Sequence, residues 1–231
     1  MKFEIFADVA SVAEAAAAFV AAESRTAIAD RGSFVAALSG GTTPWLMLRA
    51  LTLTEVRWDA VQFVQTDERV VPAGDLDRNL THLHEILLAE TGLRAEQLHA
   101  MPVESRDLEA AAEQYAQTIA ALAGSPSVLD LAHLGLGADG HTASLVSGDP
   151  VLDVTEADVA LTGIYQTRRR MTLTYPILNR ARRVLWLVTG EEKAKTLQRL
   201  QVGDLSIPAG RIRRDRAVIF ADHAAATELK I

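Results

Sequence analysis

The feature that most constrains the fold is a regular alternation of two kinds of segment along the chain. Short β-branched apolar runs predict strands, and the Ala- and Leu-rich stretches between them predict helices, a pattern that favours an α/β fold with a mostly parallel sheet and helices on both faces. The predicted strands are 3–6, 33–38, 60–65, 128–136, 157–163, 171–174, 184–188 and 217–220. The predicted helices are one that begins at the capping-box pattern Ser11-x-x-Glu14, then 44–51, 79–90, 108–123, 191–201 and 223–229.

The composition fits a globular protein, and we predict a single domain over residues 1–231. Hydrophobic residues make up 49% of the chain and charged residues 23%, and no Pro-, Gly- or Ser-rich linker divides it. The net charge of -7 argues against nonspecific binding to nucleic acid, which a basic surplus favours. No apolar run reaches the ~18 residues of a membrane span, so we expect a cytoplasmic protein without a membrane partner. The absence of cysteine excludes disulfides and thiol nucleophiles.

Four segments at the predicted carboxyl ends of strands carry the residues of interest. They are LSGGTTP, QTDERVVP, LGLGADGHTAS and LVTGEEKA, which begin at residues 38, 65, 134 and 187. In an open parallel sheet, ligands bind beyond the carboxyl ends of the strands, where loops lead into helices. The pattern therefore predicts that all four segments border one site.

The first segment has the composition of an anion site. Gly40 and Gly41 let the backbone approach a ligand, and Ser39, Thr42 and Thr43 add hydroxyl groups. The helix that follows begins with unpaired N–H groups and the positive end of its dipole, which favour phosphate. No Lys-Ser or Lys-Thr closes the loop, so the segment is not a Walker phosphate loop. A tight strand-to-helix turn that needs glycine is the alternative.

The third segment matches the spacing of a dinucleotide fingerprint, with glycines at 135, 137 and 140. That motif also needs an acidic residue at the end of the next strand, about 20 residues on. Glu156 and Asp158 lie at this distance, but they precede the next apolar run instead of following it. Asp139 would also place a carboxylate close to the pyrophosphate. The glycines are better explained by a sharp turn that presents Asp139 and His141 at the sheet edge.

An acid and an imidazole this close together suit general-base catalysis. Imidazole titrates near neutrality and can take a proton from water, and a neighbouring carboxylate orients it and stabilises its charged form. His141 is therefore the candidate base and Asp139 its partner, although a histidine that caps the next helix is the alternative. The sequence contains neither a Gly-x-Ser-x-Gly nucleophile elbow nor a His-Glu-x-x-His motif, so metal catalysis has little support.

The remaining charged residues are ambiguous when each is taken alone. The acidic segment at residues 66–69 ends a predicted strand and forms either part of a site or a solvated edge. Lys193 stands in the first turn of a predicted helix, where the dipole disfavours a cation, so an anion nearby is indicated. The two preceding glutamates can themselves be that anion. The arginines at 168–170 form a basic run; most such runs are solvated, yet one member can reach a phosphate.

Together and in this order, the four segments resemble the sequence blocks of the 6-phosphogluconolactonase family, and the likeness runs over nearly the whole chain. The stretch RMTLTYPILNRARRVLWLVTGEEKA, from residue 170, extends it. The wider superfamily also contains glucosamine-6-phosphate deaminases, which share the glycine loop and the Asp-Gly-His core. In those proteins, Ile-Ala-Phe-Asn-Glu usually follows the histidine and the strand end has Asp-Glu-Tyr. Here Thr-Ala-Ser and Asp-Glu-Arg occupy these places, which favours the lactonase.

The resemblance implies a modified Rossmann-like α/β fold without metal or cofactor. The implied reaction is hydrolysis of 6-phospho-D-glucono-1,5-lactone to 6-phosphogluconate, the second step of the oxidative pentose phosphate pathway. It implies that His141 is the base and Asp139 its partner. The implied substrate-binding residues are Ser39, Gly40, Gly41, Thr42, Thr43, Asp67, Arg69, Asn79, Gly140, Arg170 and Lys193.

One departure from the family pattern limits which residue roles the resemblance implies for this chain. The family commonly has Ser-Asn after the long loop, whereas this chain has Arg78-Asn79, so the role of the serine cannot be carried over. Two alternative functions stay open: deamination and isomerisation of glucosamine 6-phosphate, and a sugar-phosphate sensor that binds without turnover. In each case the expected partner is a small sugar phosphate, and no obligate protein partner is implied.

Overall fold

The computed structural model describes residues 1–230, so the last residue of the predicted domain, Ile231, lies outside the described residues. The strands are β1 (Lys2–Phe6), β2 (Phe34–Leu38), β3 (Val61–Gln65), β4 (Asp67–Arg69), β5 (Leu98–His99), β6 (Leu131–Gly135), β7 (Val159–Leu161), β8 (Arg170–Leu173), β9 (Arg183–Val188) and β10 (Ala217–Asp222). The α-helices are α1 (Val9–Arg31), α2 (Thr42–Thr52), α3 (Asn79–Leu83), α4 (Leu108–Ala123), α5 (Tyr175–Arg180) and α6 (Ala194–Val202).

Seven of these strands form one sheet in which every neighbouring pair is parallel. Their order is β1-β10-β9-β6-β2-β3-β5. From β2 the chain adds the next strand, β3, on one side, and from β6 it adds β9 on the other side. The order in which strands are added to the sheet therefore reverses between β2 and β6. At such a switch point the two following loops diverge and leave a crevice beyond the carboxyl ends of the strands. The predicted mostly parallel α/β fold is confirmed, and the sheet provides a place for a ligand.

Helices cover both faces of this sheet because successive side chains along a strand point to opposite sides. In β2, Val35 and Ala37 belong to one apolar core, whereas Ala36 belongs to the other. Helices α4, α5 and α6 contribute buried side chains to the first core, and α1 and α2 contribute to the second. Since both faces are buried, the central strands consist of continuous apolar runs, which is why the sequence predicts them.

A smaller antiparallel sheet, in the order β4-β8-β7, continues from the carboxyl end of β3. Thr66 joins the two sheets: its N–H donates to the Leu38 carbonyl in β2, and its carbonyl accepts the N–H of Leu173 in β8. The register of β4 and β8 places Arg69 opposite Arg170. The small sheet thus carries charged side chains to the ligand end of the large one.

The structure corrects the predicted start of the first helix. Asp8, not Ser11, is the N-cap residue, and its carboxylate accepts the Ser11 N–H at 2.8 Å. Ser11 therefore lies within the first turn of α1. Aspartate is as good an N-cap as serine, so Asp8, three residues before Ser11, satisfies the same capping requirement one turn earlier.

Other boundaries also differ from the prediction. The predicted helix 223–229 does not form: residues 223–228 form turns, since Asp222 accepts the Ala225 N–H at 2.8 Å and a segment of seven residues gains little from helical cooperativity. The predicted helix 79–90 is α-helical only to Leu83 and continues as a π-helical turn, His84–Leu88. Neither β4 nor α5 was predicted. None of the helices within residues 1–230 combines the length and the apolar character needed to cross a bilayer.

Candidate active site

A cleft of about 350 Å³ opens at the switch point, beyond the carboxyl ends of β2 and β6. The structure brings all four strand-end segments together in its wall. The lining residues are Ser39, Gly40, Gly41, Thr42, Thr43, Pro44, Asp67, Arg69, Asn79, Gly135, Leu136, Gly137, His141, Ala143, Arg170, Leu187, Val188, Thr189, Glu192 and Lys193.

His141 and Asp139 form a hydrogen-bonded pair in the loop after β6. His141 Nδ1 lies 2.6 Å from Asp139 Oδ1, and the backbone N–H of His141 donates to the same oxygen at 3.1 Å. An ionised carboxylate only accepts hydrogen bonds, so Nδ1 carries the ring hydrogen and Nε2 has a free lone pair. Because His141 lines the cleft, Nε2 can take a proton from a water molecule bound there.

Several contacts keep Asp139 in its ionised form. Partial burial acts to raise the pKa of this carboxyl group. The backbone N–H of His141, the charge and ring of His141, and the hydroxyl of Tyr165 outweigh that effect and lower the pKa below its ordinary value of 3.8. The carboxylate is therefore charged at neutral pH, where it can orient His141 and stabilise an imidazolium.

Gly137 makes room for the histidine ring. A Cβ at this position would lie 2.1 Å from His141 Nδ1 and 2.6 Å from Asp139 Oδ1. Two backbone hydrogen bonds close the turn: Gly137 N–H donates to the His141 carbonyl and Gly140 N–H donates to the Gly137 carbonyl, both at 2.9 Å. The glycine at 137 therefore serves the packing of the imidazole and not the approach of a pyrophosphate.

The loop after β2 leads into α2, whose N-terminus opens into the cleft. Gly41 is the N-cap residue, and within residues 1–230 no side chain caps this helix from the N-cap position. The first N–H groups of α2 are consequently available to an anion, which the helix dipole also favours. This geometry suits a phosphate group.

Ser39 anchors this loop to the neighbouring strand β6. Its N–H donates to His133 Nδ1 at 3.3 Å, and its hydroxyl donates to the His133 carbonyl at 2.9 Å. Burial lowers the pKa of His133 to about 3, so the ring is neutral at physiological pH and Nδ1 can accept this hydrogen bond. His133 thus ties the first glycine loop to the strand that precedes the Asp139–His141 pair.

Asp67 is buried at the start of β4. The Ser144 hydroxyl donates to its Oδ2 at 2.6 Å, and the Thr66 hydroxyl donates to its Oδ1 at 3.2 Å. Arg170 Nη1 donates to the same Ser144 hydroxyl at 3.4 Å. Asp67 therefore helps to fix Arg170 through Ser144.

Asn79 is held in place from several sides. Its Nδ2 donates to the Asp67 carbonyl at 2.9 Å, and its Oδ1 accepts from Arg69 Nη1 at 3.0 Å. The buried carboxylate of Glu68 accepts the backbone N–H groups of Asn79 and Leu80 at 2.9 and 2.8 Å. Glu68 thus fixes the start of α3 and the position of the Asn79 amide in the cleft wall.

Arg78, at the position where the family commonly has serine, does not line the cleft. Its side chain is 2% exposed, with Nε 3.6 Å from Glu68 Oε2 and Nη1 3.2 Å from Glu104 Oε2. A buried arginine between two carboxylates partly balances the charge of Glu68. The residue therefore supports the loop from behind instead of contacting a ligand in the cleft.

Arg69, Arg170 and Lys193 supply positive charge to the cleft. Arg170 is buried, its Nε has no hydrogen-bond partner within residues 1–230, and burial lowers its pKa below the ordinary value. Lys193 is the N-cap residue of α6, with Nζ 3.9 Å from Glu192. The other arginines of the basic run, 168–169, form ion pairs with acidic side chains outside the cleft. The cleft can thus meet an anion although the net charge is -7.

Two predicted site residues do not line the cleft. Asp139 lies behind His141 and acts on it through the hydrogen bond. Gly140 packs against Ile207, since a Cβ at 140 would be 2.6 Å from the Ile207 Cβ. Its packing against Ile207 requires glycine here, as does its positive φ of 90°, and its role in substrate binding stays a prediction.

Some residues of the site were not predicted. Thr189 lines the cleft and its hydroxyl lies 2.6 Å from that of Thr43, and Glu192 lines it beside Lys193. Both belong to the LVTGEEKA segment, so their position after a predicted strand would have been enough to predict them as site residues. Tyr165 donates to Asp139 Oδ2 at 3.2 Å, and no sequence pattern indicated it.

The fold and the cleft define an α/β protein with an acid–imidazole pair beside an anion site at the switch point of its sheet. Residues 7–220 match the sequence profile of the family described as Glucosamine-6-phosphate isomerases/6-phosphogluconolactonase, and the chain belongs to this family. The family description names two activities, so it does not by itself choose between them.

Individual relatives are more specific. The 6-phosphogluconolactonase of Streptomyces coelicolor is 35% identical over 239 residues, which cover 94% of this chain and 90% of the relative. That of Mycobacterium tuberculosis is 34% identical over 240 residues, which cover 98% and 97%. The crystal structure of 6-phosphogluconolactonase from Thermotoga maritima superposes with a TM-score of 0.84 over 96% of this chain and 98% of the other. At 24% identity, that last likeness concerns the fold.

Proposed function

We propose that the protein is an enzyme that hydrolyses 6-phospho-D-glucono-1,5-lactone to 6-phosphogluconate, the second step of the oxidative pentose phosphate pathway. The observation that carries this proposal is the Asp139–His141 pair at a cleft that also holds three cationic side chains. Relatives named 6-phosphogluconolactonase, similar over more than nine-tenths of the chain, support it.

The chemistry needs one base and a bound water. His141 Nε2 takes a proton from the water as its oxygen attacks the lactone carbonyl carbon. The bond between that carbon and the ring oxygen then breaks, and the ring oxygen receives the proton from the imidazolium. A lactone is an ester already strained towards hydrolysis, so a positioned water suffices without a covalent nucleophile. Asp139 stabilises the imidazolium between the two proton transfers.

The phosphate of the substrate is assigned to the cationic part of the cleft. The uncapped N-terminus of α2 offers backbone N–H groups, and Arg69, Arg170 and Lys193 offer charge-assisted hydrogen bonds. Binding the phosphate at one end fixes the sugar ring, so that the lactone carbon at its other end is held near His141. Phosphate binding and water activation are thus separate duties of separate residues.

The test is to give the purified protein each of two substrates. Acid release from the lactone, measured above its spontaneous hydrolysis, should be fast, and ammonia release from glucosamine 6-phosphate should be absent. Ammonia release would instead support the deaminase, and binding of 6-phosphogluconate without turnover of either compound would support a sensor. The His141→Asn protein is the matched control, because it keeps the cleft and removes the base.

A cytoplasmic location is part of this proposal. The substrate is a charged sugar phosphate that does not cross membranes unaided, so the enzyme must share a compartment with the reaction that forms it. Fractionation of cells that express the protein, with the lactonase activity followed through each fraction, tests the location.

A further inference from the structure

A tight hairpin turn borders the Asp139–His141 pair. The backbone N–H groups of Tyr165 and Arg168 each donate to the other's carbonyl, at 2.9 and 3.1 Å, with two residues between them. Both central residues have positive φ, 49° at Gln166 and 67° at Thr167. This is the geometry of a type I′ turn, for which Asn-Gly is the favoured sequence. A glutamine and a β-branched threonine are unfavourable there, so the turn is held in place by its surroundings.

The first residue of the turn contacts the catalytic pair. Tyr165 OH donates to Asp139 Oδ2 at 3.2 Å, and within residues 1–230 no other protein group donates to that oxygen. The ring of Tyr165 packs edge-to-face on the His141 imidazole, with ring centroids 5.6 Å apart. Asp139 is therefore held through both oxygens, by His141 on Oδ1 and by Tyr165 on Oδ2.

The second residue of the turn contacts the cationic side of the cleft. Gln166 Oε1 accepts from Arg170 Nη2 at 3.1 Å, and Gln166 Nε2 donates to Tyr165 OH at 3.4 Å. The Arg170 guanidinium also lies 5.0 Å from the centroid of the Tyr165 ring, within range of a cation–π contact. One strained turn thus touches both the proposed base and a proposed phosphate ligand.

We propose that Tyr165 and Gln166 are positioning residues of the active site, Tyr165 fixing the Asp139–His141 pair for proton transfer and Gln166 fixing Arg170 for the substrate phosphate. This inference rests on the proposed lactonase function. The side chains act through Asp139, His141 and Arg170 and do not themselves react. Tyr165 and Gln166 also contact each other, but only the Tyr165 hydroxyl bonds to Asp139 and only the Gln166 amide accepts from Arg170, so we expect their main kinetic effects to differ.

Replacing Tyr165 by Phe removes one hydroxyl and keeps the ring. We expect kcat to fall roughly 3–10-fold, with KM little changed, because the Asp139 carboxylate is then fixed through one oxygen only. The carboxylate also loses a hydrogen-bond donor that shares its charge, so it favours the imidazolium more strongly. The acidic limb of the pH profile of kcat/KM should therefore move to higher pH.

Rates of lactone hydrolysis measured across a range of pH for the parent and the variant, each corrected for spontaneous hydrolysis, give this profile. The charged and titratable groups that face the His141 ring or line the same cleft are Asp139, Tyr165, Asp67, Arg69, Arg170, Glu192 and Lys193. None of these except Tyr165 is changed by the substitution, so a shift reports the lost hydroxyl.

Gln166→Ala should have the opposite kinetic signature. It frees Arg170 from one hydrogen bond and leaves the hydrogen bond from Tyr165 to Asp139 in place, so KM should rise roughly 2–10-fold while kcat and the position of the acidic limb stay at parent values. Thr167→Asn is the matched control in the same turn. The Thr167 side chain is exposed and does not line the cleft, and asparagine tolerates positive φ, so kcat and KM should both stay at parent values.

The outcomes separate this inference from the proposed function. If the parent protein does not hydrolyse the lactone, the proposed function fails. If the parent is active and Tyr165→Phe loses kcat without any shift in the acidic limb of the pH profile, Tyr165 is merely structural and the inference is wrong. Parent-like kinetics for Tyr165→Phe overturn it as well, and an unchanged KM for Gln166→Ala overturns its second half. Should Tyr165→Phe unfold, Tyr165→Leu serves instead and should show the acidic limb moved in the same direction with a larger loss of kcat.

Discussion

Two glycine-rich loops face each other across the cleft, one after β2 and one after β6, and in sequence they look alike. Each follows a buried central strand, and each has glycines beside polar residues. In the loop after β2, a Cβ at Gly40 would lie 1.9 Å from Asn79 Oδ1. In the loop after β6, a Cβ at Gly137 would lie 2.1 Å from His141 Nδ1. Gly40 leaves room for the Asn79 amide, which is part of the proposed binding wall, and Gly137 leaves room for the ring of His141, the proposed base.

This difference shows what a glycine pattern does and does not convey. Neither Gly40 nor Gly137 has a positive φ, so a special backbone conformation is not the reason for either. Each is required by a side chain that packs against its α-carbon. The same composition therefore supports an anion-binding loop in one place and a catalytic loop in the other, and substitutions can distinguish the two.

The largest expected effect comes from removing the base. His141→Asn should lower kcat roughly 10²–10⁴-fold, the usual contribution of general-base catalysis, and leave the affinity for 6-phosphogluconate nearly unchanged. Steady-state rates corrected for spontaneous lactone opening, together with calorimetric binding of the product, measure both quantities. A folded variant that hydrolyses the lactone at near the parent rate would show that the histidine is structural and that the two loops do not differ in the way described.

The paired substitutions Gly137→Ala and Gly40→Ala address the comparison itself. The new methyl group at 137 must displace the His141 ring, so kcat should fall by about 10²-fold, the cost of misplacing a catalytic group by roughly 1 Å. The methyl group at 40 must displace the Asn79 amide, so its effect should appear mainly as a rise in KM. Kinetics of both proteins under the same conditions provide the check. If both variants lost the same parameter, the proposed division of labour would be wrong.

Much of this arrangement follows from sequence because it depends on topology. The strand-end segments meet wherever a parallel sheet reverses direction, whatever their side chains do, so the order of the segments is enough to place His141 and Lys193 at one site. The three-residue strand β4 could not be predicted, since it exists only through its pairing with β8. The packing role of Gly140 could not be predicted either, because its partner, Ile207, is remote in sequence.

The turn that carries Tyr165 could not be predicted from the sequence for a different reason. Type I′ turns are recognised by Asn and Gly, and this one has Gln166 and Thr167 at its centre. Local preference is overridden there by contacts with Asp139 and Arg170. Sequence rules fail at such a place because a functional site imposes a conformation that the residues themselves disfavour.

A smaller effect is expected on the binding side of the comparison. Lys193→Ala removes a charge-assisted contact worth about 1.5–3 kcal/mol, which corresponds to a roughly 10–150-fold rise in KM with kcat preserved. Lys195→Ala is the matched control, because Lys195 is exposed on the same helix and does not line the cleft. Inorganic phosphate should inhibit the parent protein and the control more strongly than the Lys193 variant. Equal inhibition of all three would place the phosphate elsewhere.

The smallest effect concerns His133, which connects the two loops by accepting the Ser39 N–H. Burial lowers its pKa to about 3, whereas an unfolded histidine has a pKa of about 6.5. Between these values the unfolded chain binds a proton that the native protein excludes, so stability must decrease as the pH falls below about 6.5. From pH 7.5 to 5.5, protonation of His133 in the unfolded chain should lower the free energy of unfolding by about 1 kcal/mol.

His133→Asn tests this contribution because asparagine can still accept the Ser39 N–H but does not titrate. Denaturant unfolding of each protein at pH 7.5 and at pH 5.5 gives the change in free energy for each, so any loss of stability common to both pH values cancels. The free energy of unfolding of the variant should fall by about 1 kcal/mol less than that of the parent over this interval. If both lost the same amount, His133 would be protonated in the native protein. Nδ1 could then no longer accept from Ser39, and the link between the two loops would have to be of another kind.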